Sequence, residues 1–108
     1  LAAQGRTIQL HPEIQARLGA AGRDQVVICG IEAHVCVLQT ALGLKAGGHT
    51  TPFVVADATA SRRPDSKAAA LDRLRDNGIE VATAEMVLFE WLGRAATPEF
   101  TELSALIR

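Results

Sequence analysis

Short apolar runs alternate with stripes of apolar residues at helical spacing along the 108-residue chain. Residues 1–10 carry little pattern. A helix begins at Pro12 and Glu13, good first-turn residues, places Ile14 and Leu18 on one face, and ends in the Gly19–Gly22 stretch. The run Gln25-Val26-Val27-Ile28-Cys29-Gly30 is apolar without alternation, the pattern of a strand buried on both faces. From Val35 to about Lys45 the residues Val35, Leu38, Ala41 and Leu42 recur at helical spacing, and Gly47-Gly48 ends the helix. A second buried strand, Phe53-Val54-Val55-Ala56, ends at Asp57. A helix from Pro64-Asp65 carries Ala69, Leu71 and Leu74 inward and stops at Asn77-Gly78, a left-handed cap. Ile79 to Ala82 reads as a short third strand, Glu85 to Leu92 as a helix, and Thr97-Pro98-Glu99 as the start of a last helix ending near Ile107.

Strands alternating with helices predict an α/β fold with a parallel sheet covered on both faces. Three strands make a thin sheet, and a chain of this length buries only about 60 to 65% of its unfolded surface. The expectation is one partial domain over residues 1–108, half of a larger α/β unit.

Composition narrows the function. Aromatic residues are 4% with no Tyr, and the net charge is -1. Neither stacking platforms nor a broad basic field for nucleic acid is present, so no nucleic-acid partner is expected. No apolar run reaches the roughly 18 to 20 residues that span a bilayer, so no membrane partner is expected either. Leu1 to Arg6 lacks the order of a signal peptide and the chain lacks an initiator Met, which places the expected start upstream. Cys29 and Cys36, seven apart among apolar neighbours, do not form a secreted disulfide framework; a reducing, cytoplasmic setting is expected.

Ligands of open α/β sheets bind beyond the carboxyl ends of the strands. Three segments lie there: residues 30–36, 57–63 and 83–85. The first, Gly30-Ile31-Glu32-Ala33-His34-Val35-Cys36, joins a strand directly to a helix. A thiol in a first helical turn meets unpaired amide hydrogens and the positive end of the helix dipole, which favour the thiolate below the usual pKa of about 8.5. Those amides also suit an oxyanion. Cys36 is thus a candidate nucleophile; the alternative is a small apolar residue filling the helix–sheet interface. Cys29, inside the strand, is expected to be buried and to serve packing. His34 stands either as the base of a Cys–His pair or as packing and pocket lining in the turn, the latter favoured because residues two apart on a turn point apart. Glu32 offers either a carboxylate near the thiol or its backbone. Asp57 either caps nearby amides or lines the pocket, and Arg62-Arg63 either meets an anionic substrate or is a solvated pair. Met86 to Trp91 is core or subunit contact. The spacing of Cys29, His34, Cys36 and His49 fits no zinc motif, so no metal is expected.

The segment Gly30-Ile31-Glu32-Ala33-His34-Val35-Cys36-Val37-Leu38-Gln39-Thr40-Ala41-Leu42 resembles the nucleophile segment of isochorismatase-like cysteine hydrolases, in the isochorismatase domain-containing branch. Val54-Val55-Ala56-Asp57-Ala58 with Ser61-Arg62, and Thr97 to Leu103, resemble later parts of the same branch; the likeness runs from about Pro12 to Arg108. It implies a three-layer α/β/α fold around a larger sheet, truncated here to about three strands. It implies hydrolysis of a small amide-type or related substrate, without organic cofactor, by a Cys, Asp and Lys triad. By position, Cys36 is the nucleophile, the Ile31–Glu32 peptide is cis, and the amides of Glu32 and Cys36 form the oxyanion hole. The family's Asp and Lys both precede the Cys. Here no Lys precedes Cys36 and the only earlier Asp is Asp24, at the wrong end of its strand. The family and the thin sheet imply a homo-oligomer. The rival expectation is a catalytically inactive partial domain acting as an interaction or assembly module through its sheet edge and the helices from Met86 onward.

Overall fold

The computed structural model describes residues 12–93 (for Pro12, Ile14 and Gln15 the backbone alone) and, beyond them, Pro98, Glu102, Ala105 and Leu106. These last four are helical; the rest of the helix expected over 97–107, and residues 1–10, lie outside the described residues. The elements are α1 (Pro12–Ala20), β1 (Gln25–Ile31), a π-helical turn (Ala33–Val37) running into α2 (Leu38–Gly47), β2 (Thr51–Ala60), α3 (Pro64–Asp76), β3 (Glu80–Ala82) and α4 (Ala84–Leu92). The fold is α/β, and the three strands form a parallel sheet in the order β1-β2-β3. No helix among the described residues is long and apolar enough to cross a membrane.

The core lies on one face of the sheet. Ile28, Val54 and Val81 are register neighbours across the three strands. They meet Val37, Leu38 and Ala41 of the turn and α2, and Leu74 of α3. Val54, Ala41 and Leu74 are fully buried. The last turn of α3 is tied to β3 by paired carbonyl caps: the Ile79 amide donates to the Leu74 carbonyl at 3.0 Å and the Gly78 amide to that of Arg75 at 3.0 Å. Gly78 takes the positive φ (74°) this reversal requires. Leu74 and Ile79 are both buried in the core, the apolar contact that accompanies such an ending.

The other face is covered only in part. Val55 points to it by strand alternation and is buried, and α4, which packs on β2, supplies the cover. Among the described residues β1 shows no comparable burial on that face. Its residues alternate between half-buried and exposed, and Val27 is 38% and Ile31 70% exposed. The expectation of a β1 strand buried on both faces is therefore corrected, and with it the expected burial of Cys29, which is exposed. Two inward positions are also corrected. On the Cys36 segment Val35 faces out and Val37 in, because the π turn widens the helix by one residue per turn. On α3 it is Ala70, rather than Ala69, that is buried.

The strand expected to end at Asp57 continues to Ala60 through an irregularity. Ile28 pairs with Val54 but Gly30 pairs with Thr59, so Val55 to Ala58 stand opposite Cys29 alone. The Thr59 hydroxyl donates to the Ala56 carbonyl at 2.9 Å and closes the bulge from within. Bulges of this kind re-aim side chains at strand ends. Here the re-aimed residue is Asp57.

Candidate active site

Gly30, at a positive φ of 121°, lies just before the end of β1, and the following Ile31–Glu32 peptide bond is cis. The chain then enters the π-helical turn without a side-chain cap. The Glu32 carbonyl accepts from the amides of Val35 (3.1 Å) and Val37 (3.2 Å), which straddle that of Cys36. Ala33 and Val37 anchor the turn in the interior, while Cys36 is exposed on its outer side. The turn thus has a buried wall and an accessible thiol, carried by five residues between a strand and a ten-residue helix. Wide π turns recur at functional sites because they change which side chains share a face.

The observed partners of the His34 and Glu32 side chains are each other and residues of the segment after β2. His34 Nδ1 lies 2.9 Å from Ser61 Oγ, just past β2. Its Nε2 lies 3.5 Å from Glu32 Oε2, and Glu32 Oε1 is 3.1 Å from Arg62 Nε. The His–Ser contact spans 27 positions of sequence, which is why no local pattern announces it. Sequence reasoning passed over Ser61 as a site residue; its place just beyond a strand end was the available signal. Arg62 and Arg63 separate. Arg63 forms two hydrogen bonds to the Asp65 carboxylate, at 3.0 and 2.9 Å. That contact holds Asp65 below, and Arg63 above, its ordinary pKa. Both arginines are largely exposed and have carboxylate partners, which is the solvated arrangement of the two readings.

Asp57 Oδ1 accepts from the Ala84 amide at 2.8 Å, and Thr83 Oγ1 accepts from that of Met86 at 3.2 Å. Two of the orphan donors of α4 are satisfied, and a carboxylate sits at the positive end of its dipole. Of the two readings of Asp57, the capping one is the one observed. Among the described residues no group of three or more His, Cys, Asp or Glu could hold a metal ion.

An isochorismatase-domain family profile matches residues 9–86. The chain is 39% identical over 101 residues to a secreted isochorismatase effector of Phytophthora sojae, covering 92% of this chain and 48% of that protein. It is 41% identical over 98 residues to isochorismatase domain-containing protein 1 of Salmo salar, covering 90% of this chain and 34% of the relative. Among solved structures, one named MAR1 ribonuclease, from Caenorhabditis elegans, superposes with a TM-score of 0.81 at 32% identity, over 92% of this chain and 50% of its own. The chain spans about half the length of these proteins or less.

Proposed function

The chain belongs to the isochorismatase family, and from that premise we propose that it carries the nucleophile of a cysteine hydrolase acting on a small amide-type or related substrate. The observation that supports this reading is the exposed thiol of Cys36 on a π-helical turn directly after a strand, inside the matched region. In the proposed reaction Cys36 Sγ bonds to the substrate carbonyl carbon. The negative charge moves to the carbonyl oxygen, where the amides of Glu32 and Cys36 stabilise it. The carbon–nitrogen bond then breaks, the amine leaves with the proton given up by the thiol, and water hydrolyses the thioester to free Cys36.

The thiol proton needs a base. His34 is engaged at both ring nitrogens by Ser61 and Glu32, and Asp57 by the Ala84 amide. We assign that role, and the accompanying cation, to an Asp and a Lys in the part of the family domain that this chain does not span. A homo-oligomer, with neither metal nor organic cofactor, completes the proposal. The structure named as a ribonuclease makes RNA the competing substrate class. A net charge of -1 and the carboxylate partners of Arg62 and Arg63 favour the small molecule.

The test is turnover by the full gene product on a panel of small amides, carbamoyl compounds and a short RNA, with intact-mass detection of an acyl adduct. Cys36→Ala is expected to lower turnover of the accepted small molecule by at least about a thousandfold and to abolish the adduct. Full activity in Cys36→Ala, or turnover of the RNA alone, contradicts the reading. No turnover of any compound by the unaltered protein favours the inactive assembly module.

A further inference from the structure

We propose that Ser61, His34 and Glu32 form a positioning relay that fixes the backbone of the Cys36 turn from the far end of β2; this rests on Cys36 being the nucleophile. Glu32 is the node. Its carbonyl holds the amides of Val35 and Val37. Its Oε2 is shut off from solvent without a hydrogen bond, 3.5 Å from His34 Nε2. A buried carboxylate oxygen facing a lone pair is repelled, so Nε2 carries a proton. That contact sets the tautomer and leaves the other nitrogen to Ser61. In neutral His34 the Ser61 hydroxyl donates to Nδ1; in the imidazolium form it accepts from it. Neither form leaves a nitrogen lone pair for the thiol. His34 therefore acts on Cys36 by position alone, through its own place in the turn and through Glu32, whose backbone runs into it.

Arg62 closes the second carboxylate oxygen at 3.1 Å, but its side chain is 86% exposed, so this contact contributes little. Ser61 and His34 are half-buried and carry the tether. Together they bind the segment after β2 to the turn after β1, which carries the thiol.

The test compares the unaltered protein with Ser61→Ala, Ser61→Thr and His34→Ala, and with the Ser61→Ala/His34→Ala double variant. The ring-nitrogen NMR shifts of His34 report its tautomer, and mass mapping gives the alkylation rate of Cys36 relative to Cys29 in the same molecule. The expected result is an Nε2-protonated ring in the unaltered protein and in Ser61→Thr, and mixed tautomers in Ser61→Ala. Cys36 alkylation is expected to fall about two- to tenfold in each single alanine variant and no further in the double, with Ser61→Thr restoring the rate. An unchanged Cys36 rate in Ser61→Ala, or an Nδ1-protonated ring in the unaltered protein, overturns the relay while leaving the nucleophile in place. A Cys36 that reacts no faster than Cys29 in the unaltered protein overturns the nucleophile reading, and the relay with it.

Discussion

β1 and β2 each carry a Val-Val pair, Val26-Val27 and Val54-Val55, and have different surroundings. Val54 and Val55 of β2 are buried on both faces, at 0% and 4% exposure, whereas β1 shows Val27 and Ile31 to solvent at 38% and 70%. On the core side Ile28 of β1 joins the same cluster as its β2 neighbour Val54. The difference lies on the second face, where, among the described residues, α4 packs on β2 and leaves Val27 and Ile31 of β1 exposed. An apolar run thus records the cover a strand is suited to, and neighbouring elements decide whether that cover is present. The proposed nucleophile segment grows out of the more exposed strand, so its thiol is accessible while its anchors, Ala33 and Val37, are held from the covered side.

Substitutions on the two sides separate these roles. Leu74→Ala, at the centre of the covered face, is expected to cost about 2 to 5 kcal/mol in denaturant unfolding, since it removes transfer energy and leaves a cavity between α3, β2 and β3. A loss below about 1 kcal/mol would show that this face is not where the fold is held. At the opposite extreme, Ile31→Thr on the bare face keeps the branched Cβ that strands favour and is expected to change stability by no more than about 0.5 kcal/mol. A loss comparable to that of Leu74→Ala would mean that β1 is covered in solution, and the contrast between the strands would disappear.

The order and kind of the elements were legible because each rests on local signals. Pro64-Asp65 opens α3, Asn77-Gly78 closes it, and Gly48 caps α2 in the left-handed conformation. The position of Cys36 between strand and helix was legible for the same reason. Four features were not. The burial of Cys29 was misread because a continuous apolar run looks alike whether one face or two are covered. The π turn exchanges Val35 for Val37 without any change of composition. The extension of β2 through Ala56 to Ala60 follows from pairing with β1, and Asp57 gains its helix-capping role only through that bulge. The Ser61–His34 contact belongs with these, since two segments 27 residues apart meet only once the strands are paired.

The exposure of Cys29 provides the control for the central claim. Both thiols are open to solvent, so access alone does not favour either. The decisive measurement is the iodoacetamide alkylation rate of each cysteine in the folded protein at neutral pH, resolved by peptide mass mapping. Cys36 on its π turn is expected to react about tenfold faster than Cys29, because the turn's amides stabilise the attacking thiolate and the strand offers nothing equivalent. Equal rates, or a faster Cys29, would contradict the assignment of Cys36 as the nucleophile.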